Sequence, residues 1–78
     1  MYLYFPVEES LFSPYLDHYD SFGIAAAEYT PTGWKQIAFL SDVSPDGAFV
    51  AALANRFTLY QLSPIHLKEV VEDAMISL

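Results

Sequence analysis

The chain has 78 residues and no cysteine, and its three basic and ten acidic side chains give it a net charge of −7. Without cysteine it can form neither a disulfide nor a thiolate metal site. Its acidity disfavours binding to nucleic-acid phosphates and to anionic membranes. The hydrophobic content of 54% is well above that of disordered chains. We therefore expect a single folded domain over residues 1–78 that packing alone stabilises.

No segment of the sequence predicts a membrane span or a secretion signal. No apolar run approaches the roughly 18 residues that a spanning helix needs. The first ten residues, MYLYFPVEES, contain neither a positively charged stretch nor a small-residue cleavage site. We expect a soluble, cytoplasmic protein whose partner is neither a nucleic acid nor a membrane.

Strands are predicted in the first half of the chain. Residues 2–5 alternate aromatic and aliphatic side chains and have high β-propensity, which indicates a short strand. Pro6 ends that strand or confines it to an edge of the sheet, because proline has no backbone N–H to donate. Residues 8–18 show no clear period, and we predict that they form an irregular connection.

A β-hairpin is predicted over residues 20–29 and 34–41. Both segments alternate, and residues 30–33 (TPTG) place proline and glycine where a type I turn prefers them. In the second segment, the alternation predicts that Lys35, Ile37 and Phe39 share one side. The other side is expected to carry Trp34, Gln36, Ala38 and Leu40. The small side chains of residues 23–27 predict a place where a helix packs closely against the sheet.

Two helices are predicted after the hairpin, and both begin with Ser-Pro. Ser44 and Ser63 are the expected N-caps, each followed by proline at the first helical position. The first helix, over residues 45–57, is apolar on nearly every side, whereas the second, over 64–77, has one apolar stripe. Residues 58–62 between them fit either an extended segment or a brief strand. The expected fold class is α+β, a small antiparallel sheet followed by two helices on one of its faces.

Three stretches of the sequence resemble a known family. They are Tyr19–Ile24 (YDSFGI), Asp42–Ser44 with Asp46, and Leu62–Met75 (LSPIHLKEVVEDAM). Together they resemble a family of short uncharacterised proteins from Gram-positive anaerobic bacteria that close with a Leu-Ser-Pro-x-His-Leu-x-x-Val-x-Glu-Asp helix. The resemblance covers residues 19–75. Because that family is a domain of unknown function, it implies a shared fold but no activity, ligand or catalytic residue.

No group of side chains predicts a catalytic, cofactor or metal site. His66, Glu69 and Asp73 share one helix face, but no obvious fourth ligand accompanies them, so a solvated face is the favoured interpretation. His18 and Asp20 flank a tyrosine without the nucleophile elbow or glycine-rich loop that a catalytic triad would need. We therefore expect a protein that is not an enzyme and holds no cofactor or metal.

The candidate interaction surface lies on the polar side of the second helix. At 100° per residue, Ile65 and Ile76 fall within about 20° of each other there. The same side carries the acidic residues Glu69, Glu72 and Asp73. The helix macrodipole disfavours negative charge near a helix C-terminus, so the last two acids reflect either chance or a basic partner.

The favoured hypothesis is a small, acidic, non-enzymatic protein–protein interaction or regulatory module that binds another protein or itself. Ala48, Ala51 and Ala52 form a helix face that a second helix can approach closely. Together with the two exposed isoleucines, this face favours an isologous homodimer.

Two alternative functions remain open from the sequence. A small-molecule binder or enzyme of unknown class would show a pocket with convergent His18, Asp20 or His66. An acidic inhibitor that mimics nucleic acid would carry its carboxylates at phosphate-like spacing.

Overall fold

The computed structural model describes residues 1–76. In chain order the elements are β1 (Tyr2–Ser13), β2 (Asp17–Thr30), β3 (Gly33–Ser44), α1 (Gly47–Leu59), a 3-10 turn (Pro64–His66) and α2 (Leu67–Ile76). The three strands are antiparallel and lie in the order β1-β2-β3. The predicted α+β class, with a sheet followed by two helices, is confirmed. The part of the prediction that concerns residue 77 lies outside the described residues.

The first two strands are much longer than the sequence predicted. The irregular connection expected over residues 8–18 is wrong, because β1 continues to Ser13 and β2 begins at Asp17. Asp17 has a φ of 60°, a left-handed conformation that aspartate tolerates in a tight turn. Residues 8–13 contribute no side chain to the core, and this end of the strand therefore carries no regular apolar alternation.

The hairpin between β2 and β3 is confirmed, but a β-bulge changes which side chains share a face. Ala38 pairs with Ala26, whereas Gln36 pairs with Ala27, so Ile37 is an extra residue in β3. The predicted alternation through residues 34–41 is therefore wrong at one point. Trp34 and Gln36 lie on the same face as Ile37 and Phe39, opposite Ala38 and Leu40.

The core lies between one face of the sheet and the two helices. Tyr4 and Phe57 meet edge to face with ring centroids 5.6 Å apart, which joins β1 to α1. The predicted apolar stripes of both helices provide much of the rest. The buried members are Tyr4, Ile24, Ala26, Val43, Val50, Leu53, Ala54, Phe57, Leu67 and Val71.

Both helices start later than predicted. Ser44 is still paired with Phe22 in the sheet, so the helix cannot begin there. Asp46 is the N-cap of α1 instead, and its Oδ1 accepts a hydrogen bond from the Phe49 N–H at 3.2 Å. Ser63 makes no side-chain cap and precedes the 3-10 turn, a common start for an α-helix.

Residues 58–62, which the sequence left undecided, do not form a strand. Thr58 and Leu59 complete α1, and Tyr60 is its C-cap. The Leu62 N–H donates to the Phe57 carbonyl at 3.0 Å, which closes the end of the helix. Gln61 follows the cap with a φ of 52°, in the position where glycine is most common.

Candidate functional site

The described helices cover only one face of the sheet. The other face, which we call the open face, has an apolar half at the end of the β2–β3 hairpin. Its members follow from the strand register, since paired residues project to the same side. They are Leu3, Phe5 and Val7 on β1, Gly23, Ala25, Ala27 and Tyr29 on β2, and Trp34, Ile37 and Phe39 on β3.

The large side chains on the outer strands close over the small residues of the central strand. Ala25 is fully buried although no described helix packs on its side of the sheet. The ring of Phe39 lies over Gly23, where an added Cβ would approach ring atoms to 2.9 Å. Trp34 and Phe39 themselves remain 49% and 45% exposed. The apolar half is therefore a filled surface rather than a pocket.

No charged side chain lies on the apolar half of the open face. Glu28 and Lys35 pair with each other across β2 and β3 and project to the helix side. Tyr29 and Trp34 meet edge to face at 5.2 Å on the open side. An uncharged surface with half-exposed aromatic side chains is the composition found at the centres of protein–protein interfaces.

A hydrogen-bonded polar cluster occupies the other half of the open face. The register of β3 shifts between Leu40, which pairs with Ile24, and Ser44, which pairs with Phe22, so β3 has extra residues here. Asp42 is one of them and has a left-handed φ of 54°. The Ser21 and Tyr19 hydroxyls donate to the Asp42 carboxylate at 2.6 and 2.8 Å.

Glu9 extends this cluster across the whole sheet. Its carboxylate reaches from β1 over β2 and accepts hydrogen bonds from the Ser41 hydroxyl and the Asp42 N–H, both at 2.8 Å. Ser21, the buried polar residue at the centre, has its hydroxyl satisfied by Asp42. The cluster therefore holds the distorted end of β3 against both other strands.

Hydrogen bonds shift the pKa of two side chains in the cluster. The pKa of Asp42 is lowered, first by the hydrogen bond from Ser21 and then by that from Tyr19. The pKa of Tyr19 is raised, chiefly because its hydroxyl donates to Asp42. Both shifts favour an ionised Asp42 that accepts hydrogen bonds and a protonated Tyr19 that donates one. The arrangement is suited to holding backbone in place.

A groove of about 440 Å³ lies on the other side of the β3 end, against α2. Its wall combines apolar side chains with one lysine, Lys68, and two carboxylates, Asp42 and Glu72. The principal lining residues are Leu40, Val43, Lys68, Val71, Glu72 and Met75. This volume falls within the range of small-molecule sites.

The family comparison applies to almost the whole chain. A model of a family of unknown function, DUF6514, matches residues 2–77. The chain belongs to this family. The match confirms the resemblance to an uncharacterised domain and extends it beyond the residues 19–75 that carried it in the sequence. Neither a curated protein nor a solved structure matches the chain.

The structure leaves the residues of the interaction surface predicted on the second helix exposed. Ile65 and Ile76 are 84% and 83% exposed, but Ile65 lies in the 3-10 turn rather than in α2. Glu69, Glu72 and Asp73 are also exposed on α2, and Glu72 and Ile76 line the groove as well. That these residues form an interaction surface stays a prediction.

The two histidines, His18 and His66, do not lie in a common site. His66 Nδ1 lies 3.9 Å from the Glu69 carboxylate at the surface. His18 packs edge to face on Phe12, while Tyr19, the next residue along the strand, faces Asp42 on the opposite side. Within residues 1–76, no three potential metal ligands of the His, Cys, Asp or Glu type are grouped. No helix in that range is long and apolar enough to cross a membrane.

Sequence reasoning missed the open face and its polar cluster. The available signal for the open face was the hairpin itself, in which Ile37 and Phe39 alternate with Ala38 and Leu40. Apolar residues at consecutive positions of an antiparallel strand indicate that both faces are apolar, although only one of them is covered by helices here. The cluster depends on a register shift at Asp42 that leaves no pattern in the sequence.

Proposed function

We propose that this protein is a small non-enzymatic protein-interaction module that binds its partner through the apolar half of the open face. The observation that carries the proposal is that uncharged aromatic and aliphatic side chains remain half-exposed on a sheet face that no described helix covers. Exposed large side chains on this face are Leu3, Tyr29, Trp34, Ile37 and Phe39.

The size of this surface supports a protein partner. With roughly 150–250 Å² for a whole aromatic side chain, the exposed parts of these residues leave roughly 500 Å² of apolar surface. The largest apolar patch on a typical monomer is about 300–600 Å² and is often functional. A standard protein interface buries about 800 Å² per partner. The apolar half of the open face is therefore large enough for the centre of an interface.

Photocrosslinking in the host cell tests this proposal. Trp34 is replaced by benzoylphenylalanine, and Ile65, equally apolar but on the helix side, is replaced in a matched control. We expect irradiation to give a discrete crosslinked protein product from position 34 and none from position 65. Crosslinking from position 65 alone, or from neither position, would contradict the proposal.

A further inference from the structure

The outer edge of β1 is closed to an added strand over residues 2–6. The side-chain amide of Gln61 donates to the Tyr2 carbonyl at 2.9 Å and accepts from the Tyr2 N–H at 2.8 Å. Thr58 accepts from the Tyr4 N–H at 2.8 Å, and Pro6, next on that edge, has no N–H. A left-handed Gln61 is explained by this bidentate contact, which glycine could not make. The helix end thus satisfies the backbone groups that another strand would need.

The outer edge of β3 is interrupted rather than covered. The β-bulge at Ile37 and the register shift after Leu40 leave only a short regular segment between them. Bulges twist an edge away from a partner strand, and a lysine such as Lys35 near an edge opposes pairing as well. Sideways growth of the sheet is therefore disfavoured over residues 2–6 of β1 and at the irregular edge of β3, whereas the open face can still take an added layer.

The distribution of charge favours a second copy of the chain on this face. Two bodies of charge −7 repel each other, and the repulsion is strongest where acids come into contact. On α2, a symmetric dimer would bring Glu69 and Glu72 of both copies together. The apolar half of the open face carries no charge, so two copies of it do not repel each other on contact. Charges more than about 10 Å away are largely screened at physiological salt.

We infer that the open face is covered by a second copy of this chain, with the two sheets packed face to face between outer layers of helices. This inference rests on the proposed function and names its partner. Two copies contribute roughly 1,000 Å² of exposed apolar surface, which reaches the minimum of about 1,000 Å² for a specific interface. Packed sheets lie about 10 Å apart, and the side chains of their inner faces interdigitate.

The polar cluster determines the orientation of the two copies. The two-fold axis lies in the interface plane and perpendicular to the strands, so the strand directions of the copies are opposed. The apolar halves then overlap, while Glu9 and Asp42 of each copy point to opposite ends and stay in solvent. An axis parallel to the strands would instead place the four carboxylates against one another.

Sedimentation equilibrium of the purified full chain between about 1 and 500 μM tests this inference, because an interface of this size is expected to dissociate in the micromolar range. The wild type is expected to reach twice the chain mass of 8.8 kDa. Ile37→Glu places a charge on the apolar half and is expected to weaken the dimer at least 100-fold. Ile65→Glu, the same change on the helix side, is expected to leave it intact.

A milder variant guards against loss of folding in Ile37→Glu. Gln36→Glu adds one charge to the exposed rim of the same face, and we expect it to weaken the dimer about tenfold, with recovery in high salt. A monomer at every concentration overturns the inference. So does a dimer that resists both open-face charges but is lost with Ile65→Glu. A monomeric protein that still crosslinks to another protein from position 34 overturns the inference alone, and the proposed function stands.

Discussion

Both faces of the sheet carry apolar side chains, but the described helices cover only one of the two faces. On the helix side, Ile24 and Tyr4 are buried by side chains of α1 and α2. On the open side, Ala25 is equally buried, but by its own neighbours in the sheet. The central strand of a three-stranded sheet can thus be covered without a second layer. The large side chains that cover it, such as Phe39, are themselves left half-exposed, and a further layer is needed for them.

The largest expected difference between the two faces is in the loss of stability when an isoleucine on each face is replaced by alanine. Ile24→Ala removes a fully buried side chain and is expected to lower the free energy of unfolding by about 3 kcal/mol. Ile37→Ala removes a side chain that is 42% exposed and is expected to cost less than about 1 kcal/mol in the monomer. Urea unfolding at low micromolar concentration measures both. Equal losses would mean that the open face is as fully packed as the core.

The next largest effect concerns the closed edge of β1. Gln61→Glu keeps the size of the side chain but removes the donor to the Tyr2 carbonyl and places a carboxylate beside it. We expect a loss of about 1 kcal/mol in unfolding free energy. Gln36→Glu, the same change on β3, is the control and is expected to have little effect on the monomer. An unchanged stability in Q61E would show that the side-chain contact does not hold the edge.

The stability of the protein at alkaline pH tests the burial of Tyr4 on the helix side of the sheet. Burial, with a smaller effect from Tyr2, raises the pKa of Tyr4 from 10.0 to about 12. Because the folded pKa is higher than the unfolded one, the stabilisation is complete below pH 10 and is lost as the pH rises towards 12. Tyr4→Phe is expected to flatten the decline in stability over that window. Tyr2→Phe is the control, and an equal decline in Y4F and wild type would contradict the assignment.

The smallest expected effect is the acid response of the polar cluster. The folded pKa of Asp42 lies below its ordinary value of 3.8, so its contribution is complete above pH 3.8 and is lost as the pH falls through the folded pKa. Asp42→Asn keeps a residue that tolerates the left-handed backbone and removes this part of the acid dependence. Acid titration of stability, with Asp46→Asn compared alongside, measures it. A slope unchanged in D42N would show that the Ser21 and Tyr19 bonds do not hold the carboxylate.

Local signals account for the parts of the fold that the sequence predicted. Alternation and the TPTG turn indicate the second hairpin, and apolar periodicity indicates both helices. The first hairpin was missed because residues 8–13 lie beyond the helices, where no core imposes a pattern. Ser44 was a wrong N-cap because its pairing with Phe22, distant in sequence, keeps it in the sheet.

The candidate site was harder to predict than the fold because it depends on two irregularities in β3. One extra residue at Ile37 moves Trp34 and Gln36 to the open face, and the shift at Asp42 creates the polar cluster. Both arise from pairing with β2 and have no signature in local composition. The exposed isoleucines of the helix side, by contrast, were visible in the sequence as apolar residues outside the core stripe.

The fluorescence of Trp34, the one tryptophan of the chain, tests the central claim most directly because it reports from the apolar half of the open face, next to the β2–β3 turn. On concentration from about 1 to 500 μM, the account predicts a shift of its emission to shorter wavelength and reduced quenching by iodide, in step with the rise in mass. The same changes should be absent in Ile37→Glu and present in Ile65→Glu. Emission and quenching that stay constant while the mass doubles would place the interface elsewhere and contradict the account.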